Sequence, residues 1–295
     1  MGIGIFDYRY LRRVDWILLI VVTLLAVIGV MTLVSANRSA AVDTPYYVRQ
    51  ATFFFMGLAI ALALACVDLR FLVALAPLAY IVPIGVLVAG LDALLGLALP
   101  PAVASALDIA FLALLTGGLH LDGLADAADG LLGGREREER LALMRDGRVG
   151  AFGAAALVLV LMVEVAALAS LAPAARAAAL VAACTLARWS MSLAVWGFPY
   201  ARSSGAGAAF KSGLAVGDAL VATAIAAAVA ALVAGAMGLG LLAGAAALTA
   251  ALGAYASRRL GGLTGDVYGA VGEIAFASTL VAWSGLPLLA GGAAR

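Results

Sequence analysis

Residues 119–150 read LHLDGLADAADGLLGGREREERLALMRDGRVG, and they hold 12 of the chain's charged side chains together with its one histidine, His120. Within them Asp122, Asp126 and Asp129 follow an i, i+4, i+7 spacing, which puts all three carboxylates on one face if the segment is helical. Three like charges on one face repel, and proteins tolerate that where a cation sits between them. Oxygen ligands with no thiolate, beside a lone histidine, favour Mg2+ or Mn2+ over Zn2+. Mg2+ on few carboxylates completes its shell with water and substrate phosphates. The competing reading is a solvated acidic helix face. Position argues against it, because the acidic face starts where a membrane span is expected to end.

A basic, glycine-containing stretch follows: Arg135, Arg137, Arg140, Arg145 and Arg148, then Gly150 and Gly153. Arginine forks match phosphate oxygens, and glycines let a backbone approach a ligand closely. REREER is also an ordinary helix start laced with Glu–Arg pairs, which is the preferred reading of Arg135, Glu136, Arg137, Glu138 and Glu139. Arg140, Asp146 and Arg148 are taken as site residues. Acidic metal ligands beside phosphate-binding arginines at a membrane surface point to phosphoryl or nucleotidyl transfer, chemistry that is mostly positioning and charge neutralisation.

The elements that must position these residues are membrane helices. Of 295 residues 65% are hydrophobic and only 12% charged, so lipid has to be the solvent for much of the surface. A net charge of +1 argues against a nucleic-acid partner. Cys66 and Cys184 lie in apolar stretches and read as small buried hydrophobes. The first apolar run is as long as a span and lacks a small-residue cleavage site, so it is not read as a cleavable signal. Apolar runs near 16–35, 51–67, 71–90, 101–118, 152–171, 177–197, 217–237, 239–256 and 270–290 predict an all-α, polytopic integral membrane bundle of about nine transmembrane helices. The stretch 91–101 is broken by Pro100 and Pro101, and 217–256 is divided near Gly238 and Gly240. With Arg9, Arg12 and Arg13 inside, the Lys/Arg bias places the N-terminus and the 119–150 loop in the cytoplasm and the C-terminus outside, with Arg176 among the outward segments.

Asp108, Glu164 and Arg188 fall inside predicted spans, where charge is costly and faces the bundle interior or a wet cavity. Asp108 and Glu164 are candidate counterparts of each other. Two further polar loops, Pro199 to Gly207 with Arg202 and Gly261 to Glu273 with Asp266 and Glu273, fall on the same side as the 119–150 loop and could converge with it.

The motifs TGGLHLDGLADAADGL, RDGRVGAFG, ARWS, PYARSSGAG and GGLTGDVYGA, in that order, resemble cobalamin synthase, the adenosylcobinamide-GDP ribazoletransferase of bacteria and archaea. The resemblance runs from about residue 82 to the end. It implies a Mg2+-dependent transferase of the bacterial cytoplasmic (inner) membrane, in contact with lipid, which joins adenosylcobinamide-GDP to α-ribazole or its 5′-phosphate and releases GMP. It further implies that Asp122, Asp126 and Asp129 hold the metal with His120 beside them as catalytic residues. Arg140, Asp146, Arg148, Arg202 and Asp266 would line the same site, and Arg188 and Glu273 are taken with them as substrate-binding residues. A homo-oligomer is compatible with this reading. The chain departs from the family pattern at Arg145-Asp146-Gly147, where Lys-Asp-Ser is usual, and at Phe276, where many members have an acidic residue.

The front of the chain differs more. The family's opening Phe-Leu-Thr-Arg-(Ile/Leu)-Pro motif is absent, and about residues 5–82 resemble instead the first helices of rod-shape-determining glycosyltransferases of the RodA and FtsW type. The expected organisation is therefore a fusion, with residues 1–82 of that type and 83–295 synthase-like. A non-catalytic or misassembled fusion, and a role in peptidoglycan assembly through the N-terminal third, remain as alternatives. A transporter is a weaker one, since no inverted repeat is visible.

Overall fold

The computed structural model describes residues 84–202, 211 and 216–292, together with Thr23, Val27, Met31, Thr52 and Phe55. The chain separates into two compact units, Met1–Ala76 and Pro77–Arg295. The expected spans at 16–35 and 51–67, most of 71–90, and the resemblance of residues 5–82 to the rod-shape-determining enzymes lie outside the described residues.

The second unit is built from helices: α1 (Ile84–Leu95), α2 (Pro101–Leu115), α3 (Leu119–Ala128), α4 (Arg137–Leu143), α5 (Ala151–Ala169), α6 (Pro173–Gly197), α7 (Val216–Leu260) and α8 (Gly265–Gly292). Among the described residues one parallel bridge, between Tyr200 and Leu263, is the only other regular pairing. Pro101 and Pro173 open α2 and α6 in the first-turn position, where a missing N–H costs nothing and the fixed φ suits a helix.

Four helices are long and apolar enough to cross a membrane, α5, α6, α7 and the Gly265–Gly285 part of α8; counting α2 with the segment after it as one bent span makes five. The expected count of about nine is therefore not established by the described residues. The predicted span 101–118 stops at Leu115, because Gly117 and Gly118 take φ of 62° and 70° and turn the chain by 92° into α3. The predicted break near Gly238 and Gly240 falls at Gly235, whose φ of 58° and ψ of −138° interrupt the 45 residues of α7. There the helix folds into two arms. A Cβ on Gly238 would collide with the Ala230 carbonyl, and the buried small residues Ala222, Ala226 and Ala230 recur every fourth position on the first arm.

α6 and α8 form the centre. In their membrane windows 72% and 67% of residues are buried, against 22% and 17% for α5 and α7, whose remaining faces are left for lipid. Leu168, Leu180, Phe276 and Leu280 fill the core between α5, α6 and α8.

Away from the charged loop, Arg176, expected in an outward segment, is buried in the first turn of α6. Its Nε donates to Asp92 of α1 at 2.8 Å, Nη1 to the Leu168 carbonyl at 2.8 Å and Nη2 to the Ser105 hydroxyl at 3.0 Å, with Asp108 of α2 at 3.5 Å. So Asp108 pairs with Arg176 and not with Glu164. Removing the cation leaves two buried acids with no counter-charge. Arg176→Met is expected to destabilise the protein by about 3–5 kcal/mol, seen as a lower unfolding temperature in detergent. Adding Asp92→Leu and Asp108→Leu should recover most of the loss; an unchanged unfolding temperature for the single variant would deny the cluster any role in stability.

Candidate functional site

The three polar segments expected to converge do meet at one end of the bundle. Ala201 N–H donates to the Leu263 carbonyl and Leu263 N–H to the Pro199 carbonyl, both at 2.8 Å. Arg137 ties the charged loop to both segments, with Nε on the Leu260 carbonyl at 2.7 Å and Nη2 on the Ala201 carbonyl at 3.0 Å. The Glu–Arg pairing expected of this run is present as well, with Arg137 Nη1 donating to Glu138 at 3.3 Å on the exposed side.

α3 lies against the start of α8 at glycines. A Cβ on Gly123 would stand 2.8 Å from the Asp266 carbonyl oxygen, and one on Gly269 would stand 3.4 Å from the Gly123 Cα. Only backbone fits there, and the contact brings Asp122 and Asp126 of α3 toward Asp266. Asp122 is exposed and Asp126 half-buried. Burial first, then the carboxylates of Asp122, Asp266 and Asp129, push the Asp126 carboxyl up to about 6, with Arg202 opposing. Arg202 Nη2 donates to Asp266 at 2.9 Å, while its buried Nε has no partner among the described residues.

Asp129 has a different setting. α3 widens into a π-helical turn over Asp129–Gly133, and the Asp129 carboxylate accepts the Gly150 N–H at 2.6 Å and the Gly153 N–H at 2.8 Å. It caps the start of α5, which has no cap of its own. Gly150 and Gly153 thus give way to a carboxylate from the same chain. Arg140 is likewise turned inward, donating to the carbonyls of Leu131, Gly130 and Arg135 at the end of the π turn. Asp146 and Arg148 form a two-pronged exposed pair, at 3.0 Å and 2.7 Å, in which the guanidinium holds the Asp146 carboxyl below its ordinary range.

His120, Arg188 and Glu273 line one small pocket with Thr116 and the apolar side chains of Leu112 and Leu121. Burial, with Arg188 adding to it, lowers the His120 imidazole to about 4, so it is neutral near neutral pH. Glu164, not included among the site residues read from sequence, lies fully buried beside Glu273. Its place inside a predicted span was the available signal.

Among the described residues no three His, Cys, Asp or Glu side chains are disposed to hold a metal ion. Asp122 and Asp126, one helical turn apart with Asp266 nearby, make a shorter donor set of hard oxygens. Mg2+ is commonly bound by one or two carboxylates plus waters and phosphate oxygens, so these residues fit it without a third protein ligand.

Fold and site together define a membrane-embedded helical protein with an acid- and arginine-lined site at one end of its bundle. Residues 68–284 match the family model described as cobalamin-5-phosphate synthase, and the chain belongs to that family. The match begins at residue 68, before the expected boundary near residue 82. The chain is 42% identical over 172 residues to an adenosylcobinamide-GDP ribazoletransferase of Desulforamulus reducens, covering 58% of this chain and 69% of that protein. It is 40% identical over 191 residues to one of Geotalea daltonii (65% and 77%), and 37% over 184 residues to one of Klebsiella pneumoniae (61% and 75%). No solved structure matches.

Two outcomes follow from this geometry. A Cβ at Gly153 would fall on the Asp129 carboxylate and 2.9 Å from the Ala125 carbonyl. Gly153→Ala should therefore break the cap and cost about 1–2 kcal/mol in unfolding measurements, and more than Ala154→Gly at the next, exposed position. Because Asp126 titrates near 6 when folded against an ordinary 3.8, its contribution to stability is full below the ordinary value and is lost as pH rises through about 6. A divalent cation that takes the proton's place offsets that loss. Mg2+ should raise the unfolding temperature near pH 8 and not near pH 5, and Asp126→Asn should abolish the difference.

Proposed function

We propose that this chain is an adenosylcobinamide-GDP ribazoletransferase, moving the adenosylcobinamide phosphate moiety from adenosylcobinamide-GDP to α-ribazole or its 5′-phosphate and releasing GMP. The observation that carries the proposal is the meeting of the 119–133, 199–202 and 261–266 segments within a family match spanning residues 68–284. In this reaction a ribazole hydroxyl oxygen forms a bond to the phosphorus on the cobinamide side. The bond from that phosphorus to the GMP oxygen breaks, and the hydroxyl proton leaves.

Asp122 and Asp126 would hold Mg2+, with Asp266 beside them. When bound, the cation would supply charge neutralisation on the pyrophosphate and on departing GMP. Arg202, fixed on one side by Asp266, has its Nε free for a phosphate oxygen. Arg188 offers a second buried guanidinium, in the pocket it lines with His120 and Glu273. His120, neutral by burial, has an imidazole able to accept the attacking hydroxyl's hydrogen bond and proton. Arg148, steered by Asp146, gives the exposed rim a further cation for an approaching phosphate. Asp129 and Arg140 contribute through the backbone they hold, at the start of α5 and the end of the π turn.

The placement we favour is the inner membrane, with this end of the bundle in the cytoplasm. The distribution of cations supports it: Arg135, Arg137, Arg145, Arg148, Arg258 and Arg259 cluster with the site, while Arg176 is neutralised by buried acids.

The test is GMP release from adenosylcobinamide-GDP and α-ribazole by the full chain in detergent, with and without Mg2+. Asp126→Asn is expected to lose roughly 100-fold or more while behaving as wild type in size-exclusion chromatography. Wild-type turnover by that variant would remove the metal role of Asp126. No GMP release from a monodisperse wild-type sample would remove the activity.

A further inference from the structure

α7 ends in a cationic tip. Arg258 and Arg259 lie in its last turn, both exposed, and among the described residues neither pairs with an acid. At the same end of the bundle Arg137 is paired with Glu138 and Arg148 with Asp146. The Arg259 guanidinium lies over the Tyr255 ring, 4.5 Å from its centroid, and its Nη1 donates to the Leu131 carbonyl at 3.3 Å. Arg258 makes no hydrogen bond or ion pair among the described residues.

Cations in a last turn suit the helix dipole, but the dipole does not account for their surroundings. Of the four long apolar helices α7 is the least buried, with 17% of its membrane window covered. Its exposed row Ala243, Ala247 and Ala251 leads directly to Tyr255 and Arg259. Tyr255 is 38% exposed one turn before Arg259, as a ring at the level of lipid headgroups would be. A guanidinium resting on a ring still offers its edge N–H groups, in the plane that two phosphate oxygens match. Leu132, beside the carbonyl that Arg259 holds, is exposed and apolar.

We propose that the Tyr255–Arg258–Arg259 end of α7 binds an anionic phospholipid, its phosphate on the two guanidinium groups and its acyl chains along the lipid-facing row of the helix. A zwitterionic headgroup carries its own ammonium, so a net negative one is the better complement to two unpaired cations. The site is joined to the charged loop. Leu131 lies in the π turn that follows α3, its carbonyl is shared by Arg259 and Arg140, and Arg137 holds the Leu260 carbonyl at 2.7 Å. A headgroup that fixes Arg259 therefore steadies the end of the π turn, and with it the helix carrying Asp122 and Asp126. The effect on turnover rests on the proposed function; the lipid site does not.

The test compares phosphatidylglycerol with phosphatidylcholine on the full chain. Retention is read by native mass spectrometry from detergent, and unfolding temperature and GMP release are read in nanodiscs with and without phosphatidylglycerol. Wild type should retain phosphatidylglycerol preferentially and unfold at a higher temperature with it. Arg258→Gln combined with Arg259→Gln should weaken that retention roughly tenfold or more, while Arg145→Gln, at an exposed arginine off α7, should leave it unchanged. If the double variant does not fold, Arg258→Gln alone serves, because that side chain holds nothing in the protein, and several-fold weaker retention is expected. Equal retention of both lipids by wild type, or an equal loss in Arg145→Gln, overturns the site. The same rise in unfolding temperature with inorganic phosphate in place of lipid overturns a phospholipid as its occupant. GMP release should be faster with phosphatidylglycerol in wild type and not in the double variant; a wild-type rate indifferent to a lipid that it retains overturns the link to the loop. Preferential retention with no GMP release in either nanodisc would sink the proposed activity and leave the lipid site standing.

Discussion

An ionised side chain among apolar helices must find its counter-charge inside the bundle, and the order of this protein's helices follows from that demand. Arg176 cannot be accommodated at the start of α6 unless α1 and α2 bring Asp92 and Asp108 to it. Arg188, three turns further along the same helix, lines a pocket with Glu273 from α8. The central position of α6 is thus set by charge as well as by its apolar core. Buried pairs of this kind contribute little net stability compared with apolar replacements, but breaking one is costly. They act mainly by excluding arrangements in which the partners are apart.

The same requirement separates support from chemistry within the charged loop. Asp129 and Arg140 look like site residues by type, yet each is spent on backbone groups: two N–H donors at the start of α5 and three carbonyls around the π turn. Those backbone groups are the ones a helix end leaves unsatisfied. With α5 and the π turn fixed, α3 can rest on α8 through Gly123 and Gly269, and Asp122 and Asp126 have a defined direction. A change at Gly153 reaches the acidic face through this chain of contacts.

What could be read in the sequence, and what could not, divides along the same line. Hydropathy located α5, α6, α8 and the doubled α7, because lipid selects for long apolar runs whatever their partners. The acidic spacing and the motif order located the site, since both are written in neighbouring residues. Partnerships across large separations left no such mark. Arg137 with Leu260 and Arg176 with Asp92 join positions whose spacing carries no period. Gly150 and Gly153 were legible as places of close approach, but the group that approaches is Asp129, where a ligand was expected. The i, i+7 relation of Asp122 to Asp129 was legible too. Periodicity states which residues share a face, while the helix across from that face decides what each one meets.

The electrostatics of the site bear on what it can accept. Asp122, Asp126 and Asp266 set three acids against Arg202, and burial together with that excess lifts the Asp126 carboxyl to about 6. A pyrophosphate ester, the substrate under the proposed function, adds more negative charge and would be repelled from such a surface alone. A divalent cation held by Asp122 and Asp126 would supply the positive charge that changes the sign of the interaction. Two protein carboxylates then suffice, and a complete protein cage would leave no vacant positions for phosphate. The buried half needs no such cation, because Arg188 already stands in the pocket it lines with Glu273, its Nε without a partner among the described residues. A phosphate group held between these halves would be gripped by a cation recruited from solvent at one end and by an arginine built into the membrane core at the other.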